Sequence, residues 1–163
     1  MRADRETRVL LVFAGVLATF APRQSPAADL VLNRDYGLVK ASCVRPGKKQ
    51  LPVCAVVYTK QPYLGFQFGS EDDPESVAVT AGARRVPNSE IEMKVDKNAS
   101  HSVFGEGFIG KEAEAILGEI ENGTRISVTY QSESAKAPIT ADFNLDDFKT
   151  AVRDVQDLRD EQR

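Results

Sequence analysis

The chain has 163 residues, 42% of them hydrophobic and 28% charged, and its formal net charge at pH 7 is −3. A mildly acidic chain is a poor match for nucleic acid or an anionic membrane surface, because both of these partners attract basic patches. Its length fits one domain with a core large enough to fold without a structural metal.

Residues 1–27 have the three-part layout of a secretory signal peptide: arginines, an apolar run from Val9 to Ala21, and a polar break followed by small residues. The run is shorter than the roughly 20 residues that a transmembrane helix needs, and a buried core helix is the alternative interpretation. We expect cleavage after Ala27 or Ala28 and a periplasmic or secreted protein without stable membrane insertion.

The mature part, residues 28–163, is expected to form a single β-rich domain. Removing residues 1–27 takes away four basic and two acidic side chains, so the formal net charge becomes −5. The more acidic surface strengthens the expectation that nucleic acid is not a partner.

Most of the mature sequence alternates apolar and polar residues with a period of two. This pattern is typical of strands that are buried on one face and exposed to water on the other. Seven such segments, separated by turn-rich stretches, are 36–45, 51–59, 64–68, 77–81, 90–96, 125–131 and 139–143. We therefore predict a mainly β fold, either an antiparallel β-sandwich or a partly open barrel.

Cys43 and Cys54 are the only cysteines and flank the segment CVRPGKKQLPVC. A metal clip, a redox pair, two unrelated core thiols and a hairpin disulfide are the possible arrangements. A zinc site lacks ligands, since His101 is the only histidine. A thioredoxin-type site needs the spacing C-x-x-C. Export and the Pro46-Gly47 turn favour a disulfide between adjacent strands, which would stabilise the fold by about 3 kcal/mol.

Two segments break the period of two and predict helices, one in mid-chain and one at the C-terminus. The apolar residues of segment 111–121 lie on one face of the predicted helix, and Asn122-Gly123 ends it. Asn144 is expected to cap the C-terminal helix. Its docking stripe is Phe148, Ala151, Val152, Val155 and Leu158. The charged tail beyond this stripe is expected to fray.

No motif predicts a catalytic, cofactor or metal site. His101 lies in a polar, turn-like segment, and the sequence has no G-x-S-x-G motif that would supply a nucleophilic serine. We therefore interpret His101 as a solvent-exposed loop histidine. Residues 71–75 are rich in carboxylates but lack calcium-loop spacing, which favours a solvated turn. Residues 105–110 are rich in glycine but lack G-K-[ST], which favours a turn leading into the helix.

Three weaker features have ordinary structural interpretations. Arg84-Arg85 lies between strands and is interpreted as a solvated turn rather than a ligand clamp. Asn98 and Asn122 begin glycosylation sequons, a short pattern that is common by chance. An aromatic cluster can edge a binding surface, although core packing explains its two phenylalanines more simply. The cluster consists of Tyr58, Tyr63, Phe66 and Phe68.

The order of these features resembles the invasion-associated locus B family of small exported bacterial proteins. The resemblance covers most of residues 36–155 and is carried by LVKASCVRPGKKQLPVCAVVY, VPNSEIEMKVDKN, AEAILGEIENGTRISVTYQS and ITADFNLDDFKTAVRDV. The chain lacks the tryptophan that often precedes the first cysteine in that family. It also lacks the second cysteine pair that many members of the family carry. The resemblance implies an exported β-rich protein, associated in some bacteria with entry into host cells, and it implies no catalytic residues.

Three functions remain open at the level of sequence. We expect a non-enzymatic protein without a cofactor that contacts a protein partner in the envelope or on a host cell, for which one exposed patch on a polar surface would be evidence. A periplasmic ligand-binding or inhibitor module would instead show a pocket with convergent polar groups. A hydrolase would show two facing buried carboxylates.

Overall fold

Ten strands and two helices form in the part of the chain that the computed structural model describes, which is residues 29–163 without 48, 61–62, 71–72, 74–75 and 83. The predicted signal peptide lies outside the described residues. The strands are β1 (Asp29–Tyr36), β2 (Val39–Arg45), β3 (Val53–Tyr58), β4 (Leu64–Phe68), β5 (Val77–Ala81), β6 (Glu90–Val95), β7 (His101–Phe104), β8 (Phe108–Ile109), β9 (Arg125–Tyr130) and β10 (Ile139–Asn144). The helices are α1 (Lys111–Asn122) and α2 (Asp146–Asp160).

The described strands form two antiparallel sheets that are not closed into a barrel. The six-stranded sheet has the order β1-β2-β3-β4-β5-β8, and the four-stranded sheet has the order β10-β9-β6-β7. The prediction of a mainly β, antiparallel, sandwich-like fold with a mid-chain helix and a C-terminal helix is confirmed. No helix of the described residues has the length and apolar character that crossing a membrane requires.

The core lies between the inner faces of the sheets and the two helices. In β6, Ile91, Met93 and Val95 are buried, whereas the glutamates and the lysine between them are exposed, as the period of two predicts. Phe66 and Phe68 are almost fully buried, which confirms that they pack in the core. α1 buries the predicted apolar face and packs against strands of both sheets.

The C-terminal helix docks on the six-stranded sheet. The backbone N–H of Asp146 donates a hydrogen bond of 2.8 Å to Oδ1 of Asn144, so Asn144 contacts the first turn as predicted, but the N-cap position itself is Leu145, which makes no side-chain cap. The helix continues to Asp160, and Arg159 is only 6% exposed. The expectation that the chain frays directly after Leu158 is therefore wrong, because the long stem of an arginine can cover apolar surface despite its charge.

Cys43 on β2 lies directly opposite Cys54 on β3, and the two residues form a disulfide. Both side chains are buried in the inner face of the sheet. The predicted segment 36–45 is divided by a turn at Gly37, whose φ of +58° favours glycine, so β1 ends before β2 begins.

Three strands, β1, β7 and β8, were not predicted as separate elements. The pairing of β1 with β2 shifts between Leu30 and Leu32, and such a bulge disrupts the regular alternation on which the prediction depends. β7 and β8 have four and two residues, too few for a periodic pattern to be recognised.

Candidate interaction surface

His101 occupies a structural position rather than an exposed loop. It begins β7, and its Nε2 lies 3.0 Å from Oε1 of Glu119 on α1, with side chains 18% and 25% exposed respectively. The ring also meets Phe108 edge to face. The interpretation of a solvent-exposed histidine is therefore wrong: the partner that removes the ring from solvent comes from a helix that is distant in sequence. The contact fastens β7 to α1.

An open cleft with a volume of about 380 Å³ lies beside this pair. It is lined by Asp96, Asn98, Ala115, Gly118, Glu119, Asn122 and Gly123. Both sequon asparagines therefore contribute to one cleft, Asn98 from an exposed turn and Asn122 from the end of α1. Within the described residues, no three metal-ligating side chains of the His, Cys, Asp and Glu types come together.

The carboxylate of Asp96 is committed to the turn that follows α1. It accepts hydrogen bonds from the backbone N–H and hydroxyl of Thr124 and from the backbone N–H of Arg125. The hydrogen bonds from Thr124 hold the pKa of Asp96 below its ordinary value. Asp96 therefore organises the rim of the cleft.

Arg85 holds the loop that connects β7 to β8. Its Nη1 donates to the carbonyl of Gly105 at 2.8 Å, and its Nη2 donates to the carbonyl of Glu106 at 3.1 Å. Burial lowers the pKa of Arg85, an effect that the charge of Glu106 opposes. The interpretation of Arg85 as a solvated turn residue is wrong, whereas Arg84 is exposed.

The glycine-rich segment permits the loop to cross closely over β5. A Cβ atom on Gly107 would lie 2.2 Å from the carbonyl oxygen of Val79, so any other residue would force the loop away. The segment leads into α1 as predicted, and it also contributes β8 to the edge of the six-stranded sheet.

Two large apolar side chains flank this loop and are exposed to solvent. Phe104 at the end of β7 is 73% exposed, and Ile109 at the end of β8 is 76% exposed. We call Phe104, Ile109 and the loop 105–107 between them the corner surface. The two side chains lie at the edges of different sheets, because β7 ends the four-stranded sheet and β8 ends the six-stranded sheet. Large apolar side chains exposed among polar residues are a feature of interaction sites.

Two carboxylates lie next to the corner surface on the outer face of the four-stranded sheet. Glu90 lies opposite Phe104, and Glu92 lies opposite Ser102. Both glutamates are exposed, and neither has an ion-pair partner among the residues that the structure describes. Lys94 lies beyond the part of β6 that pairs with β7. The surface beside β7 is therefore locally acidic.

The remaining candidates occupy ordinary positions. Asp73 is exposed, and its carbonyl accepts backbone hydrogen bonds from Ser70 and Ser76, so the solvated turn is confirmed there. Residues 71, 72 and 75 lie outside the described part. Tyr58 is 8% exposed and stacks on Phe148, so it belongs to the core rather than to the edge of a binding surface.

Sequence reasoning did not identify Phe104, Ile109 or the role of Arg85. The motif FGEGFIG contained the available signal, since it places large apolar residues on both sides of glycines in a polar stretch. Comparison with known proteins finds no matching family model, curated protein or solved structure. The corner surface and the cleft are therefore the features from which a function can be argued.

Proposed function

We propose that this protein is exported and acts, without catalysis, by binding another protein in the bacterial envelope or on a host cell. The resemblance to the invasion-associated locus B family suggests this role. The layout of residues 1–27 and the disulfide between Cys43 and Cys54 support export, because disulfides persist in oxidising compartments.

The observation that carries the proposal is the exposure of Phe104 and Ile109 at the corner surface. Aromatic anchors surrounded by polar residues are characteristic of protein interfaces. Arg85 fixes the loop between the two residues through two carbonyl groups, so the surface is ordered before a partner arrives. Such preorganisation lowers the entropic cost of binding.

The binding proposal is tested by site-specific photo-crosslinking in envelope preparations. A benzophenone amino acid replaces Phe104 in one variant and Thr140, which is exposed on β10, in the control variant. We expect a discrete protein adduct from position 104 only. An excess of unlabelled wild type should suppress this adduct by competition, whereas an excess of Phe104→Ser should not. Absence of an adduct, or equal adducts from both positions, would contradict the proposal.

Export is tested separately by fractionation of bacteria that express the full chain. We expect a periplasmic species whose N-terminus is Ala28 or Asp29 by mass spectrometry. A cytoplasmic protein with an intact N-terminus would contradict export without bearing on the corner surface.

The cleft beside α1 supports a second candidate, a ligand-binding module. Asn98, Glu119 and Asn122 line the cleft with amide and carboxylate groups, which are suited to a small polar ligand. A Cβ added to Gly118 would meet no atom within 4 Å, so a side chain can be introduced there, and Gly118→Leu should narrow the cleft. Native mass spectrometry of periplasmic protein should then show a bound small molecule on wild type and none on the variant.

A further inference from the structure

We propose that the free edge of β7 receives an extended, basic segment of the partner protein, which becomes a fifth strand of the four-stranded sheet. This inference rests on the proposed function and specifies the class of partner. No described strand pairs with the outer edge of β7. Addition of a strand to an exposed edge is a recurrent mode of peptide recognition, in which backbone hydrogen bonds provide affinity.

The other sheet edges carry features that discourage strand addition. β1 has a bulge between Leu30 and Leu32 and charged side chains along its length. The last residue of β10, Asn144, receives the hydroxyl hydrogen bond of Tyr58 at its carbonyl. β8 has only two residues. Bulges, charges, coverage and shortness are the means by which proteins protect exposed edges.

β7 lacks most of this protection. Its sequence, HSVF, contains no lysine, arginine, carboxylate or proline, and its pairing with β6 is regular. The edge ends in the exposed ring of Phe104. The contact of His101 with Glu119 fastens the strand to α1, so the edge is held in place for pairing.

The acidic outer face beside β7 specifies the charge of the added strand. Neighbouring strands lie about 4.8 Å apart, so a residue opposite Ser102 on the added strand would lie roughly 10 Å from β6. Lysine and arginine side chains can extend across the small side chain of Ser102 toward Glu92. A carboxylate at that position would instead meet Glu90 and Glu92 with the same charge.

The register also specifies an apolar residue two positions away from the basic one. Residues two apart on a strand share one face of the sheet. The neighbour of Phe104 on the added strand would thus cover the exposed ring, and aromatic or β-branched residues form the best cross-strand pairs with an aromatic. The expected segment therefore has an aromatic or β-branched residue, any residue, and then lysine or arginine, or the same order reversed.

The test uses a fluorescein-labelled peptide of twelve residues in which phenylalanine and lysine alternate on one face and threonine occupies the other. A second peptide has glutamate in place of lysine. Two further peptides are N-methylated on alternate backbone amides, one on the odd set and one on the even set. Binding to exported protein is measured by fluorescence anisotropy, and amide hydrogen exchange locates the contact.

We expect the lysine peptide to bind at least tenfold more tightly than the glutamate peptide. Glu92→Lys should abolish or reverse this preference, whereas Glu114→Lys, the same charge change on the exposed side of α1, should preserve it. One N-methylated peptide should lose binding and the other should keep it, because only alternate amides of a strand face its neighbour. Exchange of those amides in residues 101–104 that face the open edge, and not β6, should slow at least tenfold.

Equal binding of the lysine and glutamate peptides, equal binding of both N-methylated peptides, or protection of β10 instead of β7 would overturn the inference. If position 104 crosslinks a partner but these peptides give one of those results, the proposed function stands and strand addition fails. If the peptides behave as expected but position 104 yields no adduct, the ability of β7 to accept an added strand is supported and the proposed function fails.

Discussion

Phe148 of α2 stacks on Tyr58 of β3, with ring centroids 5.6 Å apart and ring planes inclined by 8°. Phe66 meets the edge of Phe148 at 5.4 Å, and Phe143 of β10 lies 4.9 Å from Tyr58. This aromatic cluster connects the C-terminal helix with both sheets. The helix is therefore part of the core and is not a free segment available to a partner.

Replacing Phe148 with alanine should destabilise the protein by about 3–5 kcal/mol, because the ring is fully buried and leaves a cavity. The measurement is the urea midpoint of unfolding. Deletion of residues 160–163 is the control, since the contacts of this tail are exposed and should contribute less than about 0.5 kcal/mol. A neutral Phe148→Ala would show that α2 is not docked through this face.

Tyr58→Phe should cost about 1 kcal/mol at pH 8, because it removes the hydrogen bond from the tyrosine hydroxyl to the carbonyl of Asn144. Burial, with smaller contributions from Asp147 and Asp146, raises the pKa of Tyr58 to about 12. A raised pKa in the folded state means that this stabilisation is complete below pH 10 and is lost between pH 10 and 12.

Between pH 8 and 11.5, the free energy of unfolding should therefore decrease by about 1–2 kcal/mol more in wild type than in Tyr58→Phe. The measurement is urea unfolding at each pH. The difference between the two proteins removes the contribution of the other tyrosines, because both proteins contain them. Parallel loss of stability in the two proteins would contradict the buried position of the hydroxyl.

Thiol titration of unreduced, denatured protein should detect no free sulfhydryl, since Cys43 and Cys54 are bonded to each other. The same sample after reduction should show two. Replacing both cysteines with alanine should lower the free energy of unfolding by about 3 kcal/mol, largely because the unfolded chain loses a cross-link. Two free thiols in native, oxidised material would contradict the assignment.

The hydrogen bonds to Asp96 predict an acid-dependent loss of stability. The pKa of Asp96 is lowered from 3.8 in the folded protein, first by the backbone hydrogen bond from Thr124. Its contribution is thus present above pH 3.8 and decreases as the pH falls through the folded pKa. Asp96→Asn should show a weaker pH dependence of thermal unfolding below pH 4 than wild type, and equal pH dependence of the two proteins would contradict the role of these hydrogen bonds.

Arg85→Ala should loosen the corner surface without unfolding the domain. Loss of two charge-assisted hydrogen bonds to the carbonyls of Gly105 and Glu106 should cost about 1–3 kcal/mol. Amide exchange in residues 104–109 should accelerate more than exchange in β3. Arg84→Ala is the matched control, because that side chain is exposed. Equal effects of the two substitutions would contradict the assigned role of Arg85.

Local sequence pattern determined much of this protein. The alternation in EIEMKV predicted β6, because successive side chains of a strand point to opposite faces. The spacing of Phe148, Val152 and Val155 predicted the buried face of α2. The disulfide followed from the predicted compartment and a turn between two strands. Each of these inferences depends on residues that are close together along the chain.

Tertiary structure alone decided what surrounds the candidate sites. His101 meets Glu119 and Arg85 meets Gly105 through contacts between elements that are distant in sequence. The sheet order places β8 beside β5 and β9 between β6 and β10, and it leaves Phe104 exposed at an edge. No local periodicity predicts these contacts or this strand order, because they arise only when distant segments pack together. The packing then determines which side chains are buried and which remain exposed to a partner.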